Sequence, residues 1–295
     1  MTTTAILIKR NVKLFFRDKG MFFTSLITPL ILLVLYTTFL GDIYRDAFLS
    51  SFPTGFTPDE TILNGLVGGQ LFSSLLAVSC VTVAFSSNLL MVQDKVTGAR
   101  TDLLVSPVKR SSLAIAYCLS SMLSTLLICL STLLVGCIYL AFVGWYLSVL
   151  DLLWILLDVF LLVVFGTSLA SVVNVFLHTQ GQMSAVGSIV SSCYGFVCGA
   201  YMPISNLNGA IQSIVALLPG TYGTALLRNH STRGALEALQ AAGLPDEGIL
   251  EIRNAIDCNV YLFGEAVPTY AMLLILCGAI SVLLGAYVWI NKIKK

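Results

Sequence analysis

The sequence predicts an all-α membrane protein with six transmembrane helices. Hydrophobic residues make up 57% of its 295 residues and charged residues only 11%, whereas soluble proteins carry about 25% charged residues. Because a backbone in lipid must satisfy its hydrogen bonds within its own segment, long apolar runs are predicted to be helices. Their continuous apolar character excludes the alternation of a β-barrel. The six runs, which contain no Lys or Arg and can each cross a hydrocarbon core of about 30 Å, are residues 22–40, 66–91, 111–143, 152–177, 184–202 and 267–290.

The first 20 residues precede these runs and are predicted to form a basic amphipathic helix. Such a helix is suited to the inner surface of a membrane, with its apolar side toward the lipid. The basic residues, which share about a third of the helical circumference, are Lys9, Arg10, Lys13 and Arg17, and the apolar residues opposite them are Ile8, Val12 and Phe15.

The distribution of Lys and Arg predicts the orientation of the chain. Twelve of these residues lie before the first run, between the second and third runs, or after the sixth. The other four, Arg45, Arg228, Arg233 and Arg253, lie on the opposite side. Both termini and the segment 93–110 are therefore predicted to be cytoplasmic, and residues 41–65 and 203–266 to be extracellular.

The two predicted outer segments differ in character. Residues 41–65 read as a loop without a motif. In residues 203–266, the stretch "PISNLNGAIQSIVALLPG" is apolar but too short to span, which predicts a re-entrant or interfacial helix. The following stretch "STRGALEALQAAGLPDEGILEIRNAIDCN" predicts two short amphipathic helices, broken at residues 243–245.

The segment 93–110, "QDKVTGARTDLLVSPVKR", is longer and more patterned than a simple loop requires. One reading is a solvated loop that only follows the positive-inside rule. The other is a folded cytoplasmic helix: two acids and a glycine recur every four residues and so share a helical face, and an apolar tip follows, ended by a proline. The residues concerned are Asp94, Gly98, Asp102, Leu103, Leu104, Val105 and Pro107.

Two further features within the apolar runs are candidates for function. Asp158 is the single acid in any run, and a carboxylate in the middle of a bilayer costs about 2.5–3.5 kcal/mol on insertion scales. It is either a pathway-facing acid or a carboxyl satisfied by a neighbouring side chain. Gly195 and Gly199 form a G-x-x-x-G pattern, which lets helices approach closely in lipid. It is either a dimer seam or ordinary packing within the chain.

The chain resembles the permease subunit of ABC-2 type transporters, the exporter class that includes daunorubicin-resistance and polysaccharide-export permeases. The resemblance covers nearly the whole chain through six spans in matching order and a basic tail after the sixth. The stretches that carry it are "KRNVKLFFRDKGMFFTSLITPLILLVLY", "QDKVTGARTDLLVSPVKRSSLAIAY" and "GFVCGAYMPISNLNGAIQSIVALLPGTYGTALLR".

The resemblance implies a role for each stretch within a single transmembrane domain over residues 1–295. Residues 1–20 would be an interface helix and residues 93–110 a coupling helix, both resting on a separate ATPase. Ala99 stands where the family usually has Thr, and Thr101 where it has Glu, so Asp94 or Asp102 would supply the missing carboxylate. A broken fifth helix around Pro203 would cap the outer mouth. The coupling positions that match the family pattern are Gly98, Leu103, Leu104, Ser106 and Pro107.

The expected function is therefore that of a multi-pass permease of the cytoplasmic membrane, working as a dimer with the same or a different permease chain. It would export a hydrophobic or amphipathic drug, lipid or peptide. No G-x-x-x-x-G-K-[ST] motif is present to cradle phosphates, and "LVGGQ" at 66–70 opens a span, so ATP and magnesium would bind the partner ATPase. We expect no enzymatic activity, no cofactor and no nucleic-acid partner for this chain itself. The alternatives are an ATPase-independent secondary transporter, a membrane enzyme, or a sensor or immunity module.

Overall fold

A long central helix organises the fold. The computed structural model describes residues 3–53, 56–106, 108–262 and 264–293. Helix α4 (Glu60–Val96) is buried along most of its length, because α6 (Arg110–Val143), α7 (Val149–Asn174) and α10 (Pro219–Ala241) pack around it. These helices, with α12 (Thr269–Ile293), supply the largest apolar core.

The remaining elements are shorter or lie at the periphery. They are α1 (Thr3–Arg17), α2 (Lys19–Leu35), a π-helical turn (Tyr36–Leu40), α3 (Gly41–Ser51), α5 (Ala99–Val105), α8 (Gln180–Val197), a 3-10 turn (Ile204–Asn206), α9 (Gly209–Ala216), α11 (Asp246–Ala255), β1 (Tyr261–Leu262) and β2 (Glu265–Ala266). The two strands form a small antiparallel hairpin in which Tyr261 pairs with Ala266. Apart from this hairpin the described elements are helical, which confirms the predicted all-α class.

Several helices are long and apolar enough to cross a membrane. Within the described residues there are five such stretches, or up to six if α9 and α10, which are bent by 88°, form one span. The chain is therefore a multi-pass membrane protein. The predicted fifth span coincides with α8, which is not among the five, so the count of six stays a prediction. The five are Lys19–Ser51, Glu60–Val96, Arg110–Val143, Val149–Asn174 and Thr269–Ile293.

The prediction of a loop over residues 41–65 is wrong at both of its ends, since α3 occupies Gly41–Ser51 and α4 already begins at Glu60. The first apolar helix continues through the π-helical turn into α3 and ends at Ser51. Tyr44 and Phe48, one helical turn apart, are both buried there, so tertiary packing sustains a helix whose average polarity suggested a loop. The Tyr36 hydroxyl donates a hydrogen bond to the carbonyl of Ala200, at 3.0 Å, and joins this helix to the chain after α8.

The segment 203–266 is also more ordered and more buried than predicted. The predicted break at residues 243–245 is confirmed, since α10 ends at Ala241 and α11 begins at Asp246. However, α10 is 23 residues long and packs against α4 and α7. Its close approach depends on Gly69, where a Cβ atom would lie 2.6 Å from the carbonyl oxygen of Ser231. The two glycines of "LVGGQ" thus lie in α4, and one of them admits α10.

One end of the bundle gathers α1, α5 and the ends of α4, α7 and α12, and we call it the basic end. Leu7 packs there in one cluster with Met91, Leu113 and Tyr287. The described parts of both chain ends and α5 therefore lie at the same end, as the orientation prediction requires. Helix α1 packs on α6 and buries Leu7, Asn11 and Phe15; which side of the membrane this end faces stays a prediction.

Candidate functional site

An ion pair joins the predicted interface helix to the central helix at the basic end. Arg10 Nη1 donates to Asp94 Oδ2 at 2.8 Å, and its Nη2 lies 3.4 Å from Oδ1. The Tyr117 hydroxyl donates to the same Asp94 Oδ2 at 2.6 Å. The hydrogen bond to Asp94 raises the pKa of Arg10, so the guanidinium stays charged. Asp94 is thus buried and used within the chain, and Arg10 faces it, whereas Lys9, Lys13 and Arg17 are exposed.

The predicted continuous face of Asp94, Gly98 and Asp102 is wrong. Helix α4 ends at Val96, and Gly98 adopts φ 84°, a left-handed conformation that ends a helix and that glycine adopts without steric cost. The chain therefore turns between the two acids, and only residues 99–105 of the predicted 93–110 segment form the separate helix α5. Asp102 is exposed on α5 while Asp94 is not.

Helix α5 has one docked face and one free face. Leu103 and Leu104 are half-buried against the cluster that contains Leu7 and Tyr117, so they are not the free apolar tip that the sequence suggested. Val105 is that tip, with 84% of its surface exposed.

The end of α5 is closed by a side chain. The Ser106 hydroxyl donates to the Leu103 carbonyl at 2.6 Å, which satisfies one carbonyl of the last turn. Pro107, which was predicted to end the helix, lies outside the described residues.

A groove runs between α2 and α8, which both pack on α4. Its part nearer the basic end, about 670 Å³, is lined mainly by hydroxyl and amide side chains, among them Thr24, Thr82, Gln93, Ser184 and Ser188. Its other part, about 810 Å³, is lined mainly by apolar residues of α2, the π-helical turn, α3 and the end of α8. Residues shared by both parts, which make the groove continuous, are Ile27, Thr28, Ser191 and Ser192.

The predicted seam residues lie near the apolar part of this groove. Pro203 lines it. Gly195 faces the ring of Tyr201, which occupies the space where a Cβ atom would stand. Gly199 follows the end of α8 and has φ 68°, so the G-x-x-x-G pattern does not lie on one continuous helix. Both glycines serve packing and turning within the chain.

A buried arginine fixes the turn after α8. Arg228 on α10 is 1% exposed; its guanidinium donates to the carbonyl of Gly199 and lies 3.4 Å from Asp257 Oδ2. Asp257 also accepts a hydrogen bond from the Ile204 backbone N–H at 2.8 Å. Burial raises the pKa of Asp257, and the positive charge of Arg228 opposes this shift. The chain on either side of Pro203 is thereby held to α10.

Asp158 lies between α7 and α10, away from the lining of the groove. Its Oδ2 is 2.6 Å from His230 Nδ1, and the His230 ring stacks on Trp154 with centroids 5.5 Å apart. Two turns earlier on α7, Asp151 Oδ1 lies 3.0 Å from Arg233 Nε, close but not aligned as a hydrogen bond. One oxygen of the buried Asp158 carboxyl is therefore paired with a side chain of the same molecule, whereas its Oδ1 is buried without a hydrogen-bond partner. The contacts of Asp158 and Asp151 hold α10 against α7.

Sequence reasoning missed the partners of these buried charges. Arg10 and Asp94 are 84 residues apart, and Asp158 and His230 are 72 apart, so no local pattern connects them. A usable signal exists for α10: His230, Arg233 and Glu237 recur at i, i+3 and i+7, as do Asp151, Trp154 and Asp158 on α7. The basic residues His230 and Arg233 of α10 and the acids Asp151 and Asp158 of α7 each share a helical face, which favours packing of the two helices.

Comparison with known proteins identifies the family of the chain. Residues 2–230 match the family model described as ABC-2 type transporter. No curated protein matches the chain. The matched range includes α1, α5, the groove and the first half of α10. The chain therefore belongs to the ABC-2 type transporter family, and it is a permease rather than a catalytic subunit.

Proposed function

We propose that the chain is the transmembrane subunit of an ATP-driven exporter, and that a nucleotide-binding subunit acts on α5. The observation that carries this proposal is the two-sided character of α5. Leu103 and Leu104 attach it to the cluster at the basic end, while Val105 and Asp102 are exposed. We infer that this free side of α5 contacts the partner, since membrane domains of this family typically work with ATPase partners.

The contacts at the basic end support a route for the movement. Arg10 and Tyr117 both bind Asp94, which lies four residues before the turn at Gly98. A displacement of α5 would therefore act on α1, α4 and α6 together. ATP and magnesium would bind the partner, and its closure would switch the permease between two arrangements. A second permease chain, identical or different, would cover the open side of the groove between α2 and α8.

The lining of the groove supports an amphipathic substrate. Hydroxyl and amide groups line the part near the basic end, and apolar side chains line the other part. The lining contains one carboxylate, Asp18, which already accepts a hydrogen bond from the Met21 backbone N–H at 3.1 Å. We infer that the substrate is a hydrophobic or amphipathic drug, lipid or peptide rather than a small ion.

Helix α5 gives a direct test of the ATPase contact. We expect Val105→Asp to abolish co-purification of the nucleotide-binding subunit, because a charge would replace the apolar tip. Val149→Asp is the matched control, since Val149 is also a highly exposed valine, at 76%, but begins α7. Asp102→Asn should weaken the same association. Unchanged co-purification with Val105→Asp would contradict the proposed role of α5.

The same two valines test the orientation. We propose that the basic end is cytoplasmic in the plasma membrane, which follows from its Lys and Arg content. In intact cells, Val149→Cys should react with a membrane-impermeant maleimide above the background of the unmodified chain, and Val105→Cys should not. The reverse pattern would contradict the orientation.

A bulky side chain in the groove tests whether the substrate passes along it. Ser191→Trp places a bulky ring where the two parts of the groove meet, whereas Ile189→Trp adds the same ring to an exposed position of α8 outside the lining. We expect amphipathic compounds to stimulate the ATPase of the assembled complex, and only Ser191→Trp to remove that stimulation. Equal stimulation in both variants would contradict a substrate path along the groove.

A further inference from the structure

Lys95 connects the end of the central helix to the end of α7. Its ammonium group donates hydrogen bonds to the backbone carbonyls of Asn174 and Val175, each at 3.0 Å, and of Leu177 at 3.2 Å. Carbonyls at the C-terminus of a helix lack partners within the helix and carry partial negative charge. Asn174 ends α7, Val175 is its C-cap and Leu177 lies two residues further along the link to α8, so Lys95 holds both the end of α7 and the first part of this link.

The position of Lys95 in α4 makes this contact mechanically significant. It lies in the last turn of α4, three residues before Gly98, where the chain turns into α5. A displacement of α5 therefore reaches Lys95 within one turn of helix. Lys95 lies in α4 and not on the exposed face of α5, so its role differs from that of Asp102 and Val105, which we propose to contact the ATPase.

The chain beyond the lysine contact leads directly to the groove. Five residues, 175–179, separate the end of α7 from the start of α8. Thr179 is the N-cap residue of α8 and forms a capping box with Gln182. The Thr179 hydroxyl accepts a hydrogen bond from the Gln182 N–H at 3.2 Å, and the Gln182 side-chain oxygen accepts one from the Thr179 N–H at 3.3 Å. The Gln182 side chain also binds the N–H of His178 at 2.8 Å. The link is therefore short and tied at both ends, so it transmits displacement rather than absorbing it.

A second contact two turns earlier keeps α4 and α7 in register. The Asn88 amide donates to the Ser171 hydroxyl at 2.8 Å, and the Asn174 amide donates to the Asn88 carbonyl oxygen at 3.1 Å. Asn88 and Lys95 are seven residues apart and so lie on the same face of α4. Buried hydrogen bonds between polar side chains of this kind hold helices together in lipid. The end of α7 thus follows the end of α4.

We propose that Lys95 is a positioning residue that transmits the movement of α5 to α8, and so to the wall of the groove. This inference rests on the proposed function, in which a nucleotide-binding subunit acts on α5. Transmission is a different property from docking, so a variant of Lys95 should separate them: the ATPase would still bind and hydrolyse ATP, but α8 would no longer respond.

The test uses the full permease assembled with its nucleotide-binding subunit. A cysteine is introduced at Ser188, an exposed residue of α8 that lines the groove, in a background where the exposed Cys193 is replaced by serine. The rate of maleimide labelling is measured without nucleotide and after trapping with ATP, magnesium and vanadate. Lys95→Met removes the three donors, Lys95→Arg retains donors, and Lys109→Met removes an exposed lysine at the same end.

We expect the labelling rate to depend on nucleotide in the parent protein, in Lys95→Arg and in Lys109→Met. In Lys95→Met that dependence should be lost, while co-purification and basal ATP hydrolysis remain; a residue needed only for folding would not give this separation. If Lys95→Met does not assemble, Lys95→Gln is measured instead.

The role of Lys95 and the proposed function can be contradicted separately. Retained nucleotide dependence in an assembled Lys95→Met or Lys95→Gln complex would overturn the role of Lys95 and leave the proposed function standing. Absence of ATPase association or of any nucleotide response in the parent protein would overturn the proposed function itself.

Discussion

The pair formed by Arg10 and Asp94 predicts an unequal response to mutation. The Asp94 side chain is 7% exposed, whereas that of Arg10 is 32% exposed. Arg10→Gln leaves a buried carboxylate with Tyr117 as its remaining partner, and Asp94→Asn leaves a guanidinium that can still reach water. Losing the cation should therefore cost more than losing the anion, although both variants break the same pair.

The magnitude follows from the burial of the two partners. Exposed ion pairs contribute about 0.2–1 kcal/mol, and removing one partner of a buried pair costs about 3–5 kcal/mol. Because the Asp94 side chain is buried and that of Arg10 is about a third exposed, Arg10→Gln should lower the free energy of unfolding by about 2 kcal/mol. Asp94→Asn retains a hydrogen-bond acceptor and should cost about 1 kcal/mol. The double variant should also cost about 1 kcal/mol, because no uncompensated charge remains.

The measurement is a double-mutant cycle on the permease in mixed micelles, with unfolding driven by SDS. Lys13→Gln serves as the control, since Lys13 lies on the same helix and is exposed, and it should change the free energy of unfolding by less than about 0.5 kcal/mol. Equal losses from the two single variants, with a double variant equal to their sum, would refute the reasoning that the buried carboxylate determines the cost.

Three further outcomes are expected in the same detergent-solubilised protein. Gly69→Ala should lower the free energy of unfolding by about 1–3 kcal/mol, because its Cβ would lie 2.6 Å from a backbone oxygen of α10; Gly278→Ala, which has open space around it, should not. His230→Ala should lower the free energy of unfolding by about 1–3 kcal/mol, since it leaves the buried Asp158 carboxyl without its hydrogen-bond partner; a loss below about 0.5 kcal/mol, the ordinary surface value, would contradict the pairing. Burial raises the pKa of Cys258 to about 11, so at pH 8 about one thiol in a thousand is ionised, and maleimide should label the exposed Cys193 and spare Cys258 until the protein is unfolded.

The apolar helices could be predicted from the sequence because their physical basis is local. Residues 111–143 and 267–290 were predicted as spans, and α6 and α12 occupy Arg110–Val143 and Thr269–Ile293. A long run without charge has few alternatives in a membrane protein, so composition alone determines the element. The break between α10 and α11 was also local, since Gly243 takes φ 98° and Pro245 precedes α11.

The buried polar contacts could not be predicted because they depend on tertiary partners. Residues 228–237 contain two arginines, a histidine and a glutamate, which reads as an exposed segment. Three acids from distant parts of the chain, Asp151, Asp158 and Asp257, lie close to the two arginines and the histidine and allow α10 to be buried. In α5, the sequence could not show that Leu103 is half-buried and Val105 exposed, because this depends on the cluster that residues of α1 and α6 form against the helix.

The π-helical turn at Tyr36–Leu40 sets the rotational register of the helix that follows it in the first transmembrane stretch. A π turn holds about one residue more than an α turn, so its conversion to α-helix rotates everything beyond it by about 100°. Such a rotation would carry Tyr44 and Phe48 out of the core and bring a different set of side chains to the groove. The hydrogen bond from Tyr36 to Ala200 holds the present register. Loss of the π-helical turn would thus be a single rotational step rather than a gradual bend.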